Sequence, residues 1–325
     1  KEYTTEFIRN VALVAHGSAG KTMLTEAFLH FTGATTRLGK IEDGTSTSDY
    51  DDEETRRKIS LYTSVIPVEY QNHKINFLDA PGFPDFIGEV ISALRVSDGA
   101  LVLGDSVSRR DVGTEIAWGY CNQFKLPRML VINKMDRKDA DAERAVNLTF
   151  DLFIELGATD EQAEFPIIYA NAITQQSGTS PDLDTDLSAL FKAILNTIPA
   201  PVVDSDAPLQ MLVTNLGFDE YRGVTAVGRI HAGSINAGQT IARIQKNGII
   251  LKEKVTPRAI AGALVAESGE AATVEHLVQP IRDMFAAIFF VSIGMVVDPR
   301  VALGELLLHR RLLGLELLQP FLQGG

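Results

Sequence analysis

The sequence predicts an α/β fold: a mostly parallel, doubly wound sheet, followed by a small, partial β-barrel and an apolar helical tail. Three observations predict it. Short apolar runs alternate with helix-spaced apolar patterns along the first part of the chain, the signature of buried parallel strands joined by helices. Pro199-Ala200-Pro201 breaks that pattern as a linker would. Beyond it, short strand-like runs are punctuated by Gly217, Gly233, Gly238 and Asn247-Gly248, the spacing of a small barrel.

The elements follow in order. Val11–Ala15, Ile75–Leu78, Ala100–Leu103, Met129–Ile132 and Phe165–Ala170 are the candidate strands. Leu24, Phe28 and Phe31 lie at helical spacing with Gly33 as a stop; Val90, Ile91 and Leu94 form a second such face, and Ala145, Leu148, Leu152 and Leu156 before Gly157 a third. Leu61–Tyr70 and Lys74–Asp79 flank the turn-like Gln71-Asn72-His73 and predict one antiparallel hairpin at the sheet edge. Leu187–Ile198 predicts the last helix before the linker. Leu209–Leu216, Gly223–His231, Gln239–Gln245 and Ile249–Val255 are the short strands after it. The expected organisation is therefore residues 1–200, 201–256 and 257–325.

Composition narrows the function. The chain has 325 residues, 45% of them hydrophobic, enough for real cores, and a net charge of -12. Such a balance gives no broad basic field and speaks against free DNA as a partner. The acidic run Asp49 to Glu54, followed by Arg56-Arg57-Lys58, predicts a solvated, mobile loop. The single cysteine, Cys121, ties the chain to no oxidising compartment and predicts a buried, inert thiol. The polar, charged start at Lys1 predicts no signal peptide, and a cytoplasmic location is expected.

The chemistry begins at Ala15-His16-Gly17-Ser18-Ala19-Gly20-Lys21-Thr22, between a strand and a helix. This is the context of a phosphate-binding loop, with Ala15 in place of the usual first glycine. Small residues at Gly17, Ala19 and Gly20 let backbone N–H groups face a polyphosphate at the positive end of a helix. Lys21 would reach the β- and γ-phosphates and Thr22 would place a hydroxyl on Mg²⁺. Asp79-Ala80-Pro81-Gly82 follows the next strand. Its carboxylate can hold the metal through water, and the Gly82 N–H can meet the γ-phosphate. Asn133-Lys134-Met135-Asp136 ends a third strand. A carboxylate there can accept from N1–H and the exocyclic amine of guanine, a donor pair that adenine lacks. Three such motifs at the carboxyl ends of strands define one GTP/GDP site.

Ile8–His16, Leu94–Ala100 and these motifs resemble the G domain of translational GTPases, elongation factor G and its relatives. Phe165–Thr256, with the linker and Gly223–Ile230, resembles the BipA/TypA ribosome-binding GTPases. The resemblance implies a P-loop G domain followed by a second, β-barrel domain, Mg²⁺-dependent GTP hydrolysis coupled to a conformational switch, and the ribosome as a partner. It further implies that Ser60, in Arg57-Lys58-Ile59-Ser60, supplies a metal-reaching hydroxyl from switch one, about Gly39–Ser60. Asn171 and Ala172, at the fifth motif, would present backbone N–H groups to the guanine oxygen. Ser18 departs from an aspartate found in many members. The family's water-orienting histidine is replaced by Phe83, which leaves the catalytic residue unassigned; loss of such a group typically costs about 10²–10⁴ in rate. Neither His16, expected to pack in the phosphate loop, nor His73, expected in an exposed turn, replaces it. Two readings follow, a slow GTPase and a GTP-binding switch with little or no hydrolysis.

The tail resembles none of this. Gly262–Ser268 and Ile281–Pro299 resemble a fragment of a monovalent cation:proton antiporter. The uncharged Met284–Val297 is shorter than the ~20 residues of a spanning helix. Leu303–Leu318 predicts an amphipathic helix that could pack, dimerise or lie on a bilayer. The tail reads either as a cover for an open barrel edge or as a segment joined from an unrelated coding sequence.

Overall fold

A computed structural model describes residues 3–107, 112–157, 159, 164–219, 223–236, 238–245, 248–255 and 265–268. Its centre is a seven-stranded sheet built from β1 (Ile8–Val14), β2 (Ser64–Tyr70), β3 (His73–Asp79), β4 (Gly99–Asp105), β5 (Arg128–Asn133), β6 (Ile167–Asn171) and β7 (Gln176–Gly178). The order is β2-β3-β1-β4-β5-β6-β7. Strands β3, β1, β4, β5 and β6 run parallel, and β2 and β7 are antiparallel edges. The helices are α1 (Lys21–Phe31), α2 (Asp52–Arg57), α3 (Ile87–Val96), α4 (Val112–Gln123), α5 (Ala142–Glu155) and α6 (Ser188–Thr197).

The period of two along the strands sorts the core into two layers. Val11, Leu13, Phe77, Leu101, Leu103, Met129 and Val131 pack with Phe28 of α1 and Phe191 of α6. Ala12, Val14, Leu78 and Val102 pack on the other face with Val90 and Leu94 of α3 and Ala117 and Cys121 of α4. Burial on both faces is what the near-continuous apolar runs foretold. The β2–β3 hairpin turns on Gln71 and Asn72, at φ of 45° and 62°. His73 is already paired with Tyr70, and its half-buried ring meets Phe7 edge-on at 5.3 Å. The expected exposed turn is thus one residue shorter and excludes this histidine.

The acidic stretch 49–54 is not a solvated loop but leads into a capped helix, with two of its acids buried. Asp51 caps α2 through the Glu53 amide at 2.8 Å, and Glu54 completes a capping box. Asp49 and Glu54 are buried, and Glu54 accepts from the amides of Leu61 and Tyr62 at 2.8 and 3.1 Å. Backbone donors of the following loop, distant enough in sequence to escape a charge count, explain the difference.

Strands β8 (Gln210–Asp219), β9 (Gly223–Ala232) and β12 (Val265–Ser268) form a three-stranded sheet in the order β12-β9-β8, and β10 (Thr240–Ile244) pairs antiparallel with β11 (Ile250–Lys254). Val265–Ser268 is therefore a strand, where an apolar helical tail was expected; it lies beside β9 as the third strand of that sheet. The other tail expectations lie outside the described residues. No described helix is long and apolar enough to cross a membrane.

Candidate nucleotide site

The chain leaves β1, turns through the phosphate loop and enters α1. The sheet then continues on opposite sides of β1, with β3 on one flank and β4 on the other. That switch point at the carboxyl ends of the strands is where open α/β sheets bind ligands. Gly20 takes a φ of 92° as it opens α1, a left-handed conformation that a side chain resists. A Cβ on it would also come within 2.5 Å of Asn133 Nδ2.

Lys21 is buried and donates from Nζ to the carbonyls of Ala15 and His16 at 3.2 and 3.0 Å. These bonds fold its stem back over the loop and fix the ammonium at the loop mouth. Burial pushes the ammonium down to about 8, with Asp79 and Asp49 pulling the other way. Gly82 passes so close to the loop that a Cβ would meet Lys21 Nζ and lie 2.6 Å from the Gly17 nitrogen. The Phe83 ring lies over Gly17, 3.0–3.2 Å from where a Cβ would stand.

Two hydroxyls and two carboxylates gather beside this loop. Thr22 Oγ1 and Ser60 Oγ are 3.1 Å apart, and Ser60 donates to Asp49 Oδ1 at 2.8 Å. Asp79 is buried with neither oxygen in a hydrogen bond; the Thr22 and Thr25 hydroxyls act on it only weakly, outside hydrogen-bond geometry. Burial raises its carboxyl to about 7, against the pull of Lys21 and with added repulsion from Asp49. Asp49 Oδ2 is likewise buried without a partner. Unpartnered buried oxygens of this kind are costly unless something meets them. An all-oxygen donor set suits Mg²⁺, which takes one or two carboxylates and leaves its other positions to phosphates and water. Among the described residues there is no cluster of three or more His, Cys, Asp or Glu, so the hydroxyls and phosphate oxygens are needed as well. The expected Thr22, Ser60 and Asp79 come together; Asp49 was missed, because its burial depends on a partner eleven positions away.

The base side is organised by Asn133. Its Nδ2 donates to the Ala19 carbonyl at 3.1 Å, and its Oδ1 accepts from the Ala172 amide at 3.3 Å. One side chain thus joins β5, the phosphate loop and the loop after β6. The Ala172 N–H, expected to face guanine, is engaged by Asn133 instead. Asn171 turns its side chain onto the amides of Ile173 and Thr174 at 3.1 and 3.2 Å. Lys134 stands at a φ of 65°, with Nζ paired to Asp105 Oδ2 at 2.6 Å and its carbonyl accepting from Ser106 Oγ. That pairing sets the lysine stem as a wall. Met135 is tied to β6 by its amide, donating to the Ala170 carbonyl at 3.2 Å, and Asp136 beyond it is exposed.

Residues 6–200, more than half the chain, match the family model described as the elongation factor Tu GTP binding domain. The chain belongs to that family. Its G domain therefore binds GTP and GDP. A putative TypA-like elongation factor of the chloroplast from Arabidopsis thaliana is 40% identical over 240 residues, 72% of this chain and 34% of that protein. The large ribosomal subunit assembly factor BipA of Synechocystis is 37% identical over 277 residues, 81% of this chain and 46% of that protein. The chain spans less than half the length of these relatives. A solved structure from Thermus thermophilus matches with a TM-score of 0.59 at 24% identity, covering 81% of this chain and 51% of that one. Translation elongation factor SelB of Methanococcus maripaludis, solved with the GTP analogue GPPNHP, matches with a TM-score of 0.56 at 21% identity, covering 80% and 49%. At those identities the structural likeness carries the fold alone.

Proposed function

We propose that this protein is a Mg²⁺-dependent GTPase of the translation-factor class that acts on ribosomes or their assembling large subunits, in the compartment that holds them. Residues 1–200 are its nucleotide-binding domain and 201–256 part of a barrel domain. The observation that carries the reading is the meeting of Thr22, Ser60, Asp49 and Asp79 beside Lys21, with three of the carboxylate oxygens left without partners. Each group has a part. The loop amides from Gly17 to Thr22 and the Lys21 ammonium hold phosphate oxygens. Thr22, Ser60, Asp49 and Asp79 would hold Mg²⁺, which would supply charge neutralisation to the phosphates. The Gly82 N–H meets the γ-phosphate, and Asp136 accepts from the guanine edge with Lys134 along the base plane. Loss of the γ-phosphate removes what Ser60 and Gly82 are held against, so switch one relaxes.

Phe83 offers no donor or acceptor to an attacking water. Its ring covers Gly17 instead, so basal hydrolysis is slow and the remaining catalysis is electrostatic. Titration with fluorescent GTP, GDP and ATP, followed by single-turnover phosphate release with and without ribosomes, tests the proposal. Guanosine-selective binding, with release stimulated by ribosomes, is the expected result. Binding without release in either condition would leave a nucleotide-binding module and reject the enzyme.

A further inference from the structure

One buried carboxylate ties switch one to the helix that holds the phosphates. Glu26 of α1 is wholly inaccessible to solvent. It accepts from the Thr47 amide at 2.5 Å, the Ser46 hydroxyl at 3.2 Å and the Thr47 hydroxyl at 3.3 Å. Gly39 passes so near that a Cβ there would collide with Glu26 Oε2 and stand 2.7 Å from the Thr45 carbonyl. The segment 39–47 is thus wrapped around this carboxylate. Burying a carboxylate is expensive, and charge-assisted bonds to loop donors offset it.

The tie leads on to the metal side. Ser46 Oγ, which donates to Glu26, also accepts from the Asp49 amide at 3.4 Å. Asp49 accepts from Ser60, and Ser60 meets Thr22. Thr22 and Glu26 stand one turn apart on α1. A closed circuit therefore leaves the helix at Glu26, passes through Ser46, Asp49 and Ser60, and re-enters it at Thr22. The Thr22 end lies beside Lys21 and Asp79, where metal and γ-phosphate would bind. The Glu26 end depends on neither, because its partners are all loop groups.

We propose that Glu26 is a positioning residue: it fixes residues 39–49 to α1 whichever nucleotide is bound, and so presents Asp49 and Ser60 to the metal when GTP arrives. The proposal rests on the GTP-binding reading above. Switching is then confined to the stretch after Asp49, and GTP is favoured over GDP partly through a residue that touches neither.

The test uses E26A, S46A and E26Q. Hydrogen exchange of the nucleotide-free protein reads the tie directly. S46A removes one bond to the carboxylate and E26A removes three, so each should speed exchange across 39–49 by about ten-fold or more, the worth of at least one hydrogen bond to a charged group. E26Q keeps an oxygen acceptor and should restore most of the protection. Affinities at limiting Mg²⁺ read the positioning. E26A should weaken GTP about ten-fold, raise the Mg²⁺ needed for half-saturation and leave GDP unchanged. Should E26A fail to fold, S46A, which trims only a part-exposed hydroxyl, decides by the same two readings. Unchanged exchange, or equal losses for GTP and GDP, would overturn the positioning role while nucleotide binding stood. A wild-type protein that bound no GTP would overturn the nucleotide reading itself and the positioning role with it.

Discussion

Replacing Arg229 by methionine removes a buried cation at the opposite end of the sheet from the nucleotide site. Arg229 lies in β9 and pairs with Asp98 Oδ1 at 2.6 Å; the side chains are 17% and 3% exposed. It also donates to the carbonyls of Val96 and Ser97 at 3.2 and 2.9 Å. Stripping one partner from a buried pair costs about 3–5 kcal/mol. Asp98 keeps two bonds to its other oxygen, from the Asn10 amide at 3.0 Å and side chain at 2.8 Å, so the lower figure, about 3 kcal/mol, is expected. Urea unfolding followed by the fluorescence of Trp118, the chain's one tryptophan, measures it. Burial raises the Asp98 carboxyl, against the pull of Arg229. A raised carboxyl favours the fold below its unfolded value and loses that advantage as pH climbs through the folded one. Without Arg229 the folded value climbs further, so R229M should lag most at pH 7 and recover as the solution is acidified. D98N added to R229M should recover much of the deficit at neutral pH. A deficit below about 0.5 kcal/mol, or one that ignores pH, would refute this account of the pair.

Other outcomes follow from the same geometry. F83H should raise single-turnover phosphate release by about 10²-fold or more and leave GTP affinity unchanged, because it restores a group able to orient water. D136A should weaken GTP by about 10²-fold or more and leave ATP binding as it was, since adenine never used that carboxylate; competition titrations check it. The buried Cys121 thiol, pushed up to about 12 mainly by burial, should resist iodoacetamide at pH 8 in the native protein and react fully in urea.

The phosphate loop, the Asp79 turn and the Asn133 motif were legible because each is contiguous and sits on a strand end that its own apolar run announces. The alternating strands were legible for the same reason. Asp49 and Glu54 were not, because a run of acids looks solvated until the amides and hydroxyls that meet them are known. Nor was the Asp98–Arg229 pair, whose members are 131 positions apart and come from different kinds of element. Ala172 shows the limit of reading a motif by position alone: its N–H is where a backbone donor was expected, yet Asn133 claims it. The brief β7 carries too few residues for a period to emerge.

Strand β2, which receives the chain from switch one, pairs with β3 and forms one margin of the sheet. Its first residue, Ser64, donates to the Ser48 carbonyl at 2.6 Å. The loop is thereby anchored to a border strand, outside the inner strands of the sheet. The phosphate cradle springs from β1, gripped on both flanks. The two halves of the site are thus rooted in different parts of one sheet, the cradle in an inner strand and the loop beside it in a border strand.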